Sequence, residues 1–346
     1  MNRTYYPAMD VVKLVCAVMI VFIHIAPLES VDGRLNSLLV NCLCRIAVPF
    51  FFISSGFLLF RKMRPGAVDF GIVGRYLRRI FRLYMIWSAI YFPYTALQMY
   101  WDRQNALPIF LGWLKNMVFS AGFGFLWYLP ATIVAVCLVA FLLKRGMKLR
   151  TVIAVGVLLY IIGLFGQSWY GLVAGLPFPQ GFADAVRAVY SVIGTTRNGV
   201  FEGMVFVALG AALAAREDLG TFRRAACGFL VSMLLLTAEF ACVARFGQPL
   251  EYDLYFFLLP AAYYLLRAVL TAKIGVGERV CGILRPCSSL IYFTHMIPVT
   301  LLTEYYPVIE NSLLLTAAVL ACTGILTAAI LLASGTKPFG FLKKIY

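Results

Sequence analysis

The sequence predicts an all-α, polytopic membrane protein with about ten transmembrane helices around a central cavity and both termini cytoplasmic. Three observations predict it. Of the 346 residues 62% are hydrophobic and only 13% charged, with a mean hydropathy of +0.88, far from the composition of water-soluble domains. Apolar runs of about twenty residues recur, the length that crosses a ~30 Å hydrocarbon core at ~1.5 Å per residue. Lys and Arg alternate in density from one loop to the next, 22 in the segments on the N-terminal side of the membrane against 6 on the other, which places both ends inside. Ten spans with short loops fill residues 1–346, so the chain reads as a single membrane domain with no soluble domain of ordinary size. The net charge of +15 is then a topological signal rather than a sign of nucleic acid.

The spans fall at 9–28, 38–60, 80–101, 126–143, 149–166, 199–215, 225–244, 252–272, 287–306 and 311–333, the run at 199–215 being the shortest. The first is too long for a secretory signal and lacks a small-residue cleavage site, so it is expected to be retained. The cytoplasmic cations include Arg3, Arg64 and the series Arg75, Arg78, Arg79 and Arg82. Two outside segments are long. Residues 102–125 hold an apolar piece from Ile109 to Phe119 that is too short to span and predicts a re-entrant or interfacial helix. Residues 167–198 mix Trp169, Tyr170, Pro177, Pro179 and glycines, the composition of a structured loop over a cavity mouth. The nine cysteines lie in or beside apolar runs as packing residues, none with His at zinc-ligand spacing, and no metal site is expected.

The first span carries Asp10, Lys13 and His24. Eleven residues separate Lys13 from His24, three turns and roughly 16 Å of rise, so both project from one face. Ionisable groups are costly in lipid, which predicts that this face meets protein or water. In the second span Arg45 precedes Pro49, predicting a broken helix whose freed carbonyls and guanidinium line a cavity, and Ser55-Gly56 permits close backbone approach. Arg75, Arg78, Arg79 and Arg82 stand at offsets of three, four and seven, one cationic helical face that suits bidentate phosphate recognition or anchoring to anionic lipid. The second of the two histidines, His295, is also inside a span, with Glu202 and Glu239 inside others and Asp253 and Glu304 at outer ends. Each acid is either a partner for Lys13, Arg45 or Arg197 or a substrate ligand.

Together, Lys13-x10-His24, Arg45-x3-Pro49 with Phe51-x3-Ser55-Gly56, the arginine-rich loop, Leu126-Trp127-Tyr128-Leu129 and IYFTHMIP around His295 resemble the integral-membrane acyltransferase family 3. Within it, LYIIGLFGQSWYGL from Leu159, TRNGVFEG from Thr196 and EYDLYFFLLP are similar to the membrane domain of the VanT-type serine racemases. The resemblance implies a bacterial plasma-membrane protein that moves an acyl group, acetyl in the first instance, from cytoplasmic acyl-CoA to a hydroxyl of a glycan or small molecule at the outer face. His24 would be catalytic with Lys13 and Asp10 beside it, and Arg45, Arg75, Arg78, Arg79 and Arg82 would serve the CoA side. Ser55, Trp127, Tyr128, Arg197, Asn198, Glu202, Glu239 and His295 would contact substrate. Phe125 stands where many family members have His before the Leu-Trp-Tyr motif. The VanT-type likeness implies an alternative, serine transport linked to vancomycin resistance, with a racemase as a separate partner, since no racemase domain follows within 346 residues. Membrane lipid and a further copy of the chain are the other expected partners. His295, with no second ionisable residue within two turns of its own helix, is expected to be structural, so His295→Asn should keep activity that His24→Ala abolishes.

Overall fold

The computed structural model describes residues 6–63, 67–119, 121–174 and 176–346. Met1, Arg3 and Arg64 lie outside the described residues. The described chain is helical, with no strand among the described residues. Helix α1, Pro7–Ile25, opens with proline in its first turn, where the missing N–H costs nothing, and closes on Ala26 at φ 55° ahead of Pro27. Asp32 caps α2, Gly33–Asn41, by accepting from the N–H groups of Arg34 at 2.7 Å and Leu35 at 3.0 Å, and these bonds hold its carboxyl below the ordinary carboxylate value. A 3₁₀ turn then leads into α3, Ala47–Phe60. Asp69 caps α4, Phe70–Trp101, which runs on through Pro93. After it come α5, Ala106–Phe119, α6, Tyr128–Lys144, and α7, Leu149–Leu164. The single turn α8, Gly171–Ala174, and α9, Gln180–Ile193, fall within the segment 167–198. A π-turn at Gly199–Gly203 opens α10, Met204–Ala214, and α11 spans Phe222–Cys242. The remaining helices are α12, Leu258–Thr271, α13, Glu278–Thr294, α14, Met296–Thr300, and α15, Ser312–Ser334.

Eight of the ten apolar runs overlap one helix each, whereas 38–60 takes in α2 and α3 and 287–306 takes in α13 and α14. Among the described residues six helical stretches are long and apolar enough to cross a membrane: 7–25, 33–60, 124–144, 222–247, 278–305 and 312–334. Leu149–Leu164, Gly199–Ala214 and Leu258–Thr271 are apolar but shorter. Helix α4 has ample length, and its first turns carry the four arginines.

The helices divide into two units. The first comprises 1–54, 216–241 and 255–346 and is built on the pair α1 and α13, with Val21 and Ile25 meeting Val299 and Val319 in a buried cluster. Asp10 meets Arg285 near the start of the pair and His24 meets His295 near its end, so these two helices run parallel. Helix α15 runs antiparallel to α1, its start fastened to the loop after α1 by Ser312 Oγ donating to Pro27 O at 2.8 Å and by Ser30 N donating to Ser312 Oγ at 3.1 Å.

The second unit comprises 55–215 and 242–254. Its centre is α10, whose residues from Met204 to Ala208 are all at most 1% exposed. Gly56 lets α3 approach this helix: a Cβ there would lie 2.4 Å from Val207 O. Gly199 does the same for α6, since a Cβ would lie 2.3 Å from Ala131 O. The close approach expected of Ser55-Gly56 is therefore met by backbone, and the run at 199–215, expected as the shortest span, is a helix surrounded by protein.

Helix α5 folds back on α4, with Tyr84 Oη donating to Met117 O at 2.9 Å and accepting from Gly122 N at 3.1 Å. At 14 residues it is shorter than a span, as expected of the piece after Ile109. The segment at 167–198 is ordered through Gln167 Nε2 donating to Thr195 Oγ1 at 2.8 Å and Thr196 Oγ1 donating to Gly163 O at 2.9 Å. Its amphipathic helix α9 was not foreseen from its Gly, Pro and aromatic content.

Candidate functional site

In the first unit three of the residues singled out in the sequence, Asp10, Lys13 and His24, lie along α1. Asp10, 6% exposed, accepts from Arg285 Nε at 2.8 Å. Lys13 is half-buried one turn further on, and Ala17, Ile20 and Val21 on the same stripe are buried in protein. At the far end His24 is exposed and its ring centroid lies 5.2 Å from that of His295, the planes tilted by 37°. His295 is fully buried, its Nδ1 2.8 Å from Tyr292 O and 3.2 Å from Ile291 O. The sequence separated the two histidines into a catalytic and a structural one, whereas the fold brings their rings together.

Arg45 sits where the helix is broken, and the break differs from the one expected. It falls at residues 42–46, before Arg45-x3-Pro49 is complete, and Pro49 occupies the first turn of α3, where proline is tolerated. Arg45 Nε donates to Val40 O at 3.1 Å and Nη2 to Asn41 Oδ1 at 3.0 Å, while Tyr255 Oη donates to Asn41 O at 2.8 Å. The guanidinium thus occupies the carbonyls that the break frees. Glu239 receives the N–H groups of Phe256 at 2.8 Å and Phe257 at 3.0 Å just before α12, an arrangement that caps the chain there.

In the second unit Trp127, Arg197 and Asn198, all expected to contact substrate, line one cavity of about 360 Å³ together with Asn116 and Thr195. Arg197 Nη1 is 2.9 Å from Asp253 Oδ2, and its Cζ lies 5.0 Å from the Trp127 ring centroid. Asn198 Oδ1 accepts from Val200 N at 2.9 Å and Phe201 N at 3.1 Å, so the helix leading into α10 begins at the cavity wall. Arg197 is the one ionisable side chain on that wall among the described residues, and its charge is met by Asp253. Glu202 follows within the π-turn at 2% exposure. Elsewhere in this unit Ser55 Oγ and Tyr128 Oη are 3.1 Å apart, and the Tyr76 hydroxyl also bonds to Ser55. The four arginines Arg75, Arg78, Arg79 and Arg82 are all exposed along the first turns of α4.

Two participants were missed in the sequence, Arg285, which counted only as a cation, and Tyr76, whereas Asp253 is the partner of Arg197 that the sequence offered as one choice. One signal was available for the first: an ionisable residue stands about three turns before a histidine on both α1 and α13.

Comparison with known proteins agrees with this architecture. The profile of the acyltransferase domain family matches residues 6–334. Two proteins of Enterococcus faecalis named amino-acid racemase are 29% identical over 335 residues and 27% identical over 339, covering 93% and 96% of this chain but 45% and 46% of those proteins. A serine/alanine racemase of Enterococcus gallinarum is 28% identical over 268 residues, 75% of this chain and 36% of that protein. The chain therefore spans at most about half the length of these relatives. No solved structure matches. With nearly its whole length matched and six helices fit to cross a membrane, the chain belongs to the acyltransferase-3 family of multi-pass membrane proteins.

Proposed function

We propose that the protein is a membrane O-acyltransferase of the bacterial plasma membrane, carrying an acyl group, acetyl in the first instance, from cytoplasmic acyl-CoA to a hydroxyl of an envelope glycan or small molecule at the outer face. The observation that carries this reading is the family match over 6–334 with the Lys13-x10-His24 pair on its first helix. The four exposed guanidiniums of α4 would hold the phosphates of the CoA ester. His24 would take the proton from the acceptor hydroxyl as its oxygen attacks the thioester carbonyl. The C–S bond breaks as the C–O bond forms, and the proton passes from His24 to the departing thiolate. General-base help of this kind supplies roughly 10²–10⁴-fold.

The reading includes ten spans with both termini inside. It is supported by the 22 to 6 distribution of Lys and Arg and by the helix directions, because parallel α1 and α13 require an even number of crossings from one to the next. A second reading, passage of a small amino acid across the membrane, is favoured by one observation. The relatives are named racemases of amino acids, and this chain presents a cavity walled by Trp127, Arg197 and Asn198 that suits a carboxylate. Binding of acetyl-CoA to the purified protein separates the two: saturable binding supports the transferase, and its absence together with serine-dependent stabilisation supports the carrier.

A further inference from the structure

We propose that the cavity of the second unit opens to the lipid and holds a membrane-borne acceptor, an amphiphile with an uncharged, hydroxylated head of sugar size and a long hydrocarbon chain. The proposal rests on the transferase reading for the acceptor's role and on the ten-span topology for its side of the membrane. It begins with Val134. This side chain stands on the cavity wall and is also exposed, and it shares a helical stripe with Cys137 and Phe141, exposed at offsets of three and seven. The stripe belongs to the stretch 124–144, long and apolar enough to cross a membrane, and Val134 stands ten residues from either end of it, ~15 Å along the helix. An apolar stripe exposed at mid-depth of a span meets hydrocarbon, so the cavity and the lipid share a wall.

The polar part of the wall is nearer the outer end. Arg197 lies over Trp127, seven residues or ~10 Å along the helix from Val134, and Asp253 holds its charge at 2.9 Å. A head with no charge of its own meets the guanidinium without leaving an ion uncompensated, and the Thr195 hydroxyl, which accepts from Gln167, keeps its proton to donate. A cavity of about 360 Å³ has room for a sugar-sized head but not for a whole lipid, so the chain leaves it, and Val134 marks the way out. Helix α9 extends the same apolar path. Val186, Val189 and Ile193 stand at offsets of three and seven, the first two exposed and Ile193 on the cavity wall. Lys115 Nζ donates to Ser191 O at 3.0 Å, which ties the end of α9 to α5, and Asn116 of α5 stands on the wall beside it. An amphipathic helix with valines exposed on one face rests in the outer interface, that face toward the acyl chains. A water-soluble ligand, such as the amino acid of the carrier reading, needs no such opening.

Two photoprobes separate a membrane-borne ligand from a soluble one. Both carry a diazirine on a glucose head, one linked to a dodecyl chain and the other to a methyl group, and both are offered without acyl-CoA to the full protein in phosphatidylcholine vesicles. The dodecyl probe should label residues 127–134 and 193–200, with displacement by dodecyl maltoside and none by phosphatidylglycerol, whose head is charged. The methyl probe at the same concentration should label them at least about tenfold less, since it lacks the chain that draws the other to the lipid. Val134→Trp fills the opening and should lower labelling by the dodecyl probe about tenfold, whereas Phe141→Trp, on the same stripe but off the cavity wall, should leave it unchanged. Equal labelling by the two probes, no labelling of that wall, displacement by phosphatidylglycerol, or undiminished labelling of Val134→Trp overturns the proposal. The comparison of probes on the wild type decides even if Val134→Trp fails to fold. Absence of acetyl transfer by the wild type is a failure of the transferase reading, and the labelling, which needs no transfer, judges the cavity separately.

Discussion

Lys13-x10-His24 was legible as a pair because eleven residues bring a helix back to nearly the same face, and α1 does keep both on one continuous helix. The residues that His24 and the neighbouring Asp10 meet were not. His295 and Arg285 lie more than 270 residues away in sequence, and no periodicity within one helix encodes a contact between two. Arg45 shows the opposite error. The sequence tied the broken helix to Pro49, yet that proline sits harmlessly in a first turn and Arg45 itself occupies carbonyls at the break. At this scale the CoA-side reading makes a definite prediction. Each phosphate hydrogen bond from a guanidinium is worth about 1.5–3 kcal/mol, so replacing Arg79 and Arg82 together with Ala should weaken acetyl-CoA binding at least about tenfold. Calorimetric affinities equal within error would leave these residues as topological anchors.

Among the elements, α10 and α4 mark where the span rules succeed and where they stop. Length is decisive for a helix in lipid but not for one surrounded by protein, so Gly199–Ala214 looked doubtful as a span and is the centre of its unit. The first turns of α4, read as a loop ending in a cationic face, are part of one 32-residue helix, because Asp69 caps its start and arginine is a good helix former that outweighs the mutual repulsion of the four charges. Packing around α10 supplies a stability test. A Cβ at position 56 meets Val207 backbone at 2.4 and 2.9 Å, and backbone does not move aside cheaply. Gly56→Ala should therefore cost about 1–3 kcal/mol and lower the thermal midpoint in detergent. Gly324→Ala, whose Cβ would meet nothing within 4 Å, should not lower it. Equal midpoints for the two variants would contradict the close approach of α3 to α10.

For the molecule as a whole, composition and loop charge carried most of the architecture, since a chain this apolar has few alternatives to membrane-spanning helices. The parallel course of α1 and α13 requires an even number of crossings from one to the other, which the proposed ten-span arrangement also has. A reporter fused after Tyr346 should accordingly be active only when it functions in the cytoplasm, and activity confined to the outside would contradict the ten-span arrangement.

The functional account depends most on His24, and one assay tests it directly: transfer of labelled acetyl from acetyl-CoA by membranes holding equal amounts of wild type and His24→Ala. The account predicts transfer by the wild type and its loss in His24→Ala, which should insert normally because the ring it removes is exposed. Undiminished transfer by His24→Ala would contradict it.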